Sequence, residues 1–235
     1  NGNINNFNLG LTLARNSIND PIFPKNGSLI SVKLNVTPPY SFFRDASFYK
    51  TDDINKLYRY AEYIKWRFDT DWYTTLVGKL VLRATSKIGI LSRWSDEHPL
   101  SPFERFEVGG DGLNNQNQFL NGRDIVSARG YDATSSNRNG DGIMDALVGG
   151  AGVFSKYTVE LRYPVSLNPQ STIFMTTFVQ GVNAWRNLKE YNPFDLRRSA
   201  GMGLRVFLPM FGTLGFDYGF GFDRPYTLST GTKKW

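Results

Sequence analysis

Apolar and polar residues alternate with a period of two along most of this chain, the pattern of strands that present one apolar and one polar side. Phe7, Leu9, Leu11 and Leu13 alternate with Asn8, Gly10, Thr12 and Ala14. Ile64, Trp66 and Phe68 alternate with Lys65, Arg67 and Asp69, and Leu80, Leu82 and Ala84 with Lys79, Val81, Arg83 and Thr85. In the second half Tyr157, Val159, Leu161 and Tyr163 stand against Thr158, Glu160 and Arg162. Met202, Leu204, Val206 and Leu208 stand against Gly203, Arg205 and Phe207, and Phe216, Tyr218, Phe220 and Phe222 against Asp217, Gly219, Gly221 and Asp223. Residues 29–36 and 173–182 are less regular but compatible, which brings the count to about eight strands.

A soluble sandwich explains any one of these segments. Three features together favour a transmembrane antiparallel β-barrel. The segments are long, where a soluble strand averages about five to six residues and a tilted bilayer-spanning strand needs about nine to eleven. Short links at 21–27, 71–72 and 209–212 alternate with long polar loops at 38–60, 92–150 and 187–195. Aromatic residues mark the expected strand ends, as at Trp72, Tyr73, Trp94, Tyr157, Tyr163 and Trp185. Short turns at one rim, long loops at the other and aromatic girdles between are the outer-membrane pattern. Because lipid offers no hydrogen bonds, such strands must close into a ring with every backbone group paired. Inward charges at Lys65, Arg67, Lys79, Arg83, Glu160, Arg162 and Arg205 then require a polar lumen.

Composition narrows the functional classes. The 235 residues carry 27 Lys and Arg against 21 Asp and Glu, a net charge of +6, with the cations scattered singly, so nucleic acid is not an expected partner. Aromatic residues at 15% beside a mean hydropathy of −0.36 argue against disorder. No stretch approaches the ~20 apolar residues of a spanning helix, and residues 1–6 lack the basic-then-apolar layout of a signal peptide. Cysteine is absent and His98, between Glu97 and Pro99, is the one histidine, which removes thiol chemistry and disfavours triads and His-rich metal sites. No nucleophile, acid–base pair or phosphate loop marks an enzyme, and no cofactor is expected. Asn137, Asn139, Asp141 and Asp145 have the oxygen spacing of half a calcium loop, but the twelfth position is Val148. A Gly/Asn-rich hairpin tip is the favoured reading, with no metal assigned.

The most specific string lies in the long loop 92–150. It reads Pro102-Phe103-Glu104-Arg105-Phe106-Glu107-Val108-Gly109-Gly110, followed by Ala128-Arg129-Gly130-Tyr131. These segments resemble the Omp85 superfamily, most closely its BamA-like assembly factors, in which an aromatic P-[FY]-x-[RK]-F-x-x-G-G stretch precedes an R-G-[FY] motif on a loop folded back into the lumen. Phe23-Pro24-Lys25-Asn26-Gly27 is similar to the family's F-P-x-x-G turn, and Val159-Glu160-Leu161-Arg162-Tyr163-Pro164 to the strand after the motif loop. Phe178-Val179-Gln180-Gly181-Val182 and Ser199-Ala200-Gly201-Met202-Gly203-Leu204 match the strands that follow. The resemblance covers nearly all of residues 1–235.

The resemblance implies a sixteen-stranded barrel preceded by POTRA domains, of which this chain would be the C-terminal part, from about the eighth strand to just past the fifteenth. It implies insertion of β-barrel proteins into the Gram-negative outer membrane without a chemical reaction. Unfolded outer-membrane proteins, accessory lipoproteins, periplasmic or surface subunits and the lipid bilayer would be its partners. A polypeptide-secreting transporter of the same superfamily, or a passive outer-membrane barrel, is the alternative. It further implies that Arg129, with Gly130 and Tyr131, braces the loop against inner-wall acids, Glu160 being the first. The family's second acid falls at Gln180, which offers a hydrogen bond but no charge. A polar insertion, 111–127, separates the two motifs. Arg129→Ala and Glu160→Gln would then give similar defects, with little added in the double substitution.

Overall fold

The computed structural model describes residues 4–43, 59–95, 100, 104–112, 123–134, 142–147, 149–168 and 170–223, with the backbone of 226–227 and 233–234. In chain order the strands are β1 (Leu9–Asn16), β2 (Gly27–Val36), β3 (Ile64–Val77), β4 (Leu80–Ser92), β5 (Phe106–Val108), β6 (Asp124–Val126), β7 (Val153–Asn168), β8 (Ser171–Trp185), β9 (Arg197–Leu208), β10 (Gly212–Gly221), β11 (Tyr226–Thr227) and β12 (Lys233–Lys234). Eight of them form one antiparallel sheet in the order β1-β2-β3-β4-β7-β8-β9-β10. Among the described residues this sheet is open, with β1 and β10 each paired on one side only. The short strands β5 and β6 pair in parallel within the long loop, and β11 with β12 in a minimal antiparallel hairpin.

The alternation seen in the chain is the two faces of this sheet. Val159, Met175, Val179, Met202, Phe216 and Tyr218 project from the convex side and are exposed, while Glu160, Thr176, Phe178 and Gln180 point inward and are buried. Strands of 13 to 16 residues in β3, β4, β7 and β8 exceed what a tilted crossing needs.

The link expected at 71–72 is not a turn. β3 continues through Asp71, Trp72 and Tyr73 to Val77, and the chain reverses at Gly78-Lys79, where Gly78 takes φ +58°. Asp71 stays in the ladder because its carboxylate accepts from Arg83 Nε at 2.8 Å and from the Thr85 hydroxyl at 2.7 Å on the neighbouring strand. Lys79 therefore sits exposed in the turn and is no lumen charge. Tyr73 is not a girdle residue either: it faces inward, within 5.7 Å of the Arg83 guanidinium and 5.4 Å of that of Arg162. Trp72 points outward from within the strand.

The long loop folds into the concave side as an apolar plug. Phe106, Val108, Val126, Ala128, Tyr131, Ile143 and Met144 pack with Tyr63, Leu91, Phe154, Val182 and Ala184 of the wall and rim. Phe106 meets Phe154 edge-on, centroids 4.8 Å apart. Gly89 of β4 makes this possible, since a Cβ there would lie 2.2 Å from the Phe154 ring and 2.7 Å from Phe106. The loop turns at Gly109 and Gly110, at φ +136° and +67°, and a Cβ on Gly109 would fall 2.3 Å from Ala133 Cα. At the opposite, short-turn end Phe23 tucks under the lumen, its ring 5.1 Å from that of Phe174. Residues 101–103, 113–122 and 135–141, with His98 and Val148, lie outside the described residues, and with them the start of the aromatic motif, most of the polar insertion and the first half of the calcium-like string.

Phe106→Ala should destabilise the docked loop by about 3–5 kcal/mol through loss of its buried ring. Hydrogen exchange across 104–134 checks this, with β8 and β9 amides expected to keep their protection.

Candidate functional site

Strand register assembles the site. Reading across β3, β4, β7, β8, β9 and β10, the inward row is Tyr73, Arg83, Glu160, Phe178, Gly201, Gly219. The adjacent row toward the loops is Thr85, Thr158, Gln180, Ser199, Gly221 on β4 to β10. Bulky and charged side chains on β4, β7 and β8 thus give way to bare backbone on β9 and β10, and the tip of the long loop lies in the trench so formed.

Arg129 caps the first row. Its Nη2 donates to Glu160 Oε1 at 2.8 Å, and its guanidinium carbon lies 3.5 Å from the centre of the Phe178 ring. Both features suit a planar cation with a fork of donors, giving a charge-assisted hydrogen bond from its edge and a cation–π contact on one face. Its Nε reaches Gln180 Oε1 at 3.5 Å, and Nη1 stands 3.6 Å from Asp217 Oδ1. Gly130 follows with φ +88°, and a Cβ there would lie 2.9 Å from the backbone of Phe220 and Gly221. Tyr131 is buried, its hydroxyl donating to Arg198 O at 2.6 Å and accepting from Asp223 N–H at 2.9 Å. Burial raises the Tyr131 phenol pKa, which keeps it a donor near neutral pH. Arg198 in turn grips the Asp223 carboxylate at 2.8 Å, holding it below the usual carboxylate range.

The structure therefore brings together all five residues expected from the resemblance, Arg129, Gly130, Tyr131, Glu160 and Gln180. It adds partners the chain alone did not reveal. Glu160 is shared by three guanidiniums: besides Arg129, its Oε2 accepts from Arg162 Nη2 at 2.9 Å and Arg83 Nη1 at 3.3 Å. Arg83 is also tied to Asp71 at 2.6 Å. Alternation marked Arg83 and Arg162 as inward, but only the register shows them converging on one carboxylate. Phe178 and the glycine trench were not anticipated; regular glycines at every second position of a strand were the available sign of close backbone approach.

Further along the loop, Lys65 Nζ bridges Glu104 and Asp124, both at 3.0 Å, and Lys156 Nζ donates to Ser127 O at 2.7 Å. The wall and loop border an open polar space of about 850 Å³ lined by Arg83, Lys87, Lys156, Glu160, Arg205 and Asp217 among others. Among the described residues no group of His, Asp and Glu converges as a metal ion would need. Asp145 accepts from Gly142 N–H at 2.9 Å.

This arrangement changes the expectation of equal defects. Arg129→Ala leaves Glu160 with two arginines and should weaken loop docking by about 1.5–3 kcal/mol. Glu160→Gln leaves three cations facing one amide and should cost about 3–5 kcal/mol. The double substitution should be no worse than Glu160→Gln alone, because it removes one of the stranded charges. Denaturant unfolding of the refolded barrel checks the order; equal and additive effects would contradict it.

A family model described as the Omp85 superfamily domain matches residues 1–231. Among solved structures, the crystal structure of BamA from Haemophilus ducreyi lacking POTRA domains 1–3 is similar, with a TM-score of 0.64 at 18% identity. That likeness covers 97% of this chain and 40% of that one, so the chain spans well under half the length of the protein it matches, and at this identity it establishes the fold. No curated protein sequence matches the chain. With the family model covering almost its whole length and the sheet taking the barrel-wall form of a solved relative, the chain belongs to the Omp85 superfamily.

Proposed function

We propose that this chain forms the C-terminal part of an outer-membrane β-barrel that inserts and folds other β-barrel proteins, with the Arg129 loop as an internal brace. The observation that carries the reading is the docking of the R-G-Tyr tip across β7 to β10 through Glu160, Phe178 and the β9–β10 backbone. A wall that must hold its shape while neighbouring strands exchange partners benefits from a strut that ties several strands at once. The work is mechanical and electrostatic, with no bond made or broken.

The outward apolar face supports placement in a bilayer, and the family match supports the Gram-negative outer membrane as that bilayer. The partners are unfolded outer-membrane proteins, accessory lipoproteins and periplasmic or surface subunits, with the POTRA domains and first strands on chain outside residues 1–235.

Depletion of the full-length protein in its native cell should lower unrelated outer-membrane barrels together. Quantitative proteomics of the outer membrane checks this. Loss of one secreted polypeptide with other barrels unchanged would instead identify a dedicated transporter of the same superfamily.

A further inference from the structure

Gln180, where a second acid was expected, touches Arg129 only at 3.5 Å and brings no charge. Two strands away, Asp217 of β10 stands 3.6 Å from Arg129 Nη1. Its carboxylate is oriented by Arg205 of β9, whose Nη2 donates to both oxygens at 2.8 and 2.7 Å. Arg205 is itself fixed, its Nη1 donating to Leu204 O at 3.1 Å and Phe216 O at 3.3 Å. The space Asp217 occupies is made by glycine: a Cβ on Gly203 would lie 2.3 Å from Asp217 Oδ1, so the carboxylate lies flat over that residue. A Cβ on Gly215 would lie 3.2 Å from the Arg205 side chain, and one on Gly219 would crowd the Arg129 backbone at 3.3 Å. Glycines and one arginine thus keep a carboxylate beside Nη1 of Arg129 while Glu160 takes Nη2.

We propose that Asp217, held by Arg205 over Gly203, is the second carboxylate of the Arg129 socket, so that the charge of the loop tip is anchored on the β9–β10 hairpin as well as on β7. This rests on the brace reading above. Asp217 is a positioning residue: it acts on the wall through Arg129. A charge pair at 3.6 Å between partly buried side chains still contributes, since salt screens such a pair less than a fully exposed one.

The test uses the full-length protein in outer-membrane vesicles with Arg205 in place, and the comparison with and without Arg129 cancels whatever Arg205 does once its carboxylate is neutral. Hydrogen exchange of residues 127–132 is read beside the level of assembled barrels. Asp217→Asn is expected to speed exchange about tenfold when Arg129 is present and less than about twofold when it is Ala. Adding Gln180→Glu to Asp217→Asn should restore slow exchange, because a second carboxylate returns to the same guanidinium, at Nε. An equal effect of Asp217→Asn with and without Arg129, or no restoration by Gln180→Glu, would overturn the assignment. If Arg129→Ala itself leaves exchange unchanged, the brace reading fails; if it speeds exchange and Asp217→Asn does not, only the role of Asp217 fails.

Discussion

A strand with lipid on one side has only its other side for charge, and a charge placed there must be neutralised within the lumen. An unpaired ion in that setting costs several kcal/mol. The register of this sheet meets the requirement on the β4–β7 wall, where Arg83 lies directly opposite Glu160, with Asp71 beside Arg83 and Arg162 beside Glu160. It is not met everywhere by the wall itself. Lys65, almost fully buried, finds its carboxylates on the long loop, at Glu104 and Asp124. The loop supplies acid to Lys65, and its own Arg129 shares the acids of β7 and β10 with Arg162, Arg83 and Arg205, so loop and wall form one electrostatic unit.

Shape follows the same division. β7 and β8 fill their inward positions with Glu160, Arg162, Phe174 and Phe178, while β9 and β10 leave Gly201, Gly203, Gly215, Gly219 and Gly221. A polypeptide tip can approach a sheet to backbone contact only where side chains are missing. The ring of Phe178 then serves as the raised edge of the trench, flanking the guanidinium. The buried Phe106 and Phe154 pair, seated over Gly89, repeats the device nearer the loop-side rim.

Much of this was legible in the chain because period-two patterning reports facing. Glu160, Arg162 and Arg205 were placed inward correctly, and the motif strings pointed to Arg129 and its neighbours. The turn misplaced at 71–72 shows where the signal fails: Thr70, Asp71, Thr74 and Thr75 put polar residues on both faces of β3, and Asp71 looks like a turn residue unless its partners Arg83 and Thr85 are known. Tyr73 was misassigned for the same reason, since an aromatic near an expected strand end reads as a girdle until its cationic neighbours are seen. Asp217 was hidden more deeply. Its nearness to Arg129 depends on successive registers from β7 through β10 and on the fold of a long loop, none of which local patterning contains.

Those registers are also what the loop tip secures. Arg129 fastens β7, Gly130 lies against the β10 backbone, and the Tyr131 hydroxyl joins Arg198 O at the start of β9 to Asp223 N–H beyond the end of β10. A strand that slips by one residue exchanges its faces and would put Asp217 toward lipid. A slip by two keeps the faces but moves each side chain about 6.8 Å along the strand. It would carry Asp217 away from both Arg205 and Arg129, and would bring the carboxylate to a place now held by a glycine on which the tip rests. Either slip breaks contacts at several strands together, so a short R-G-Tyr tip can hold the alignment of a wall far larger than itself.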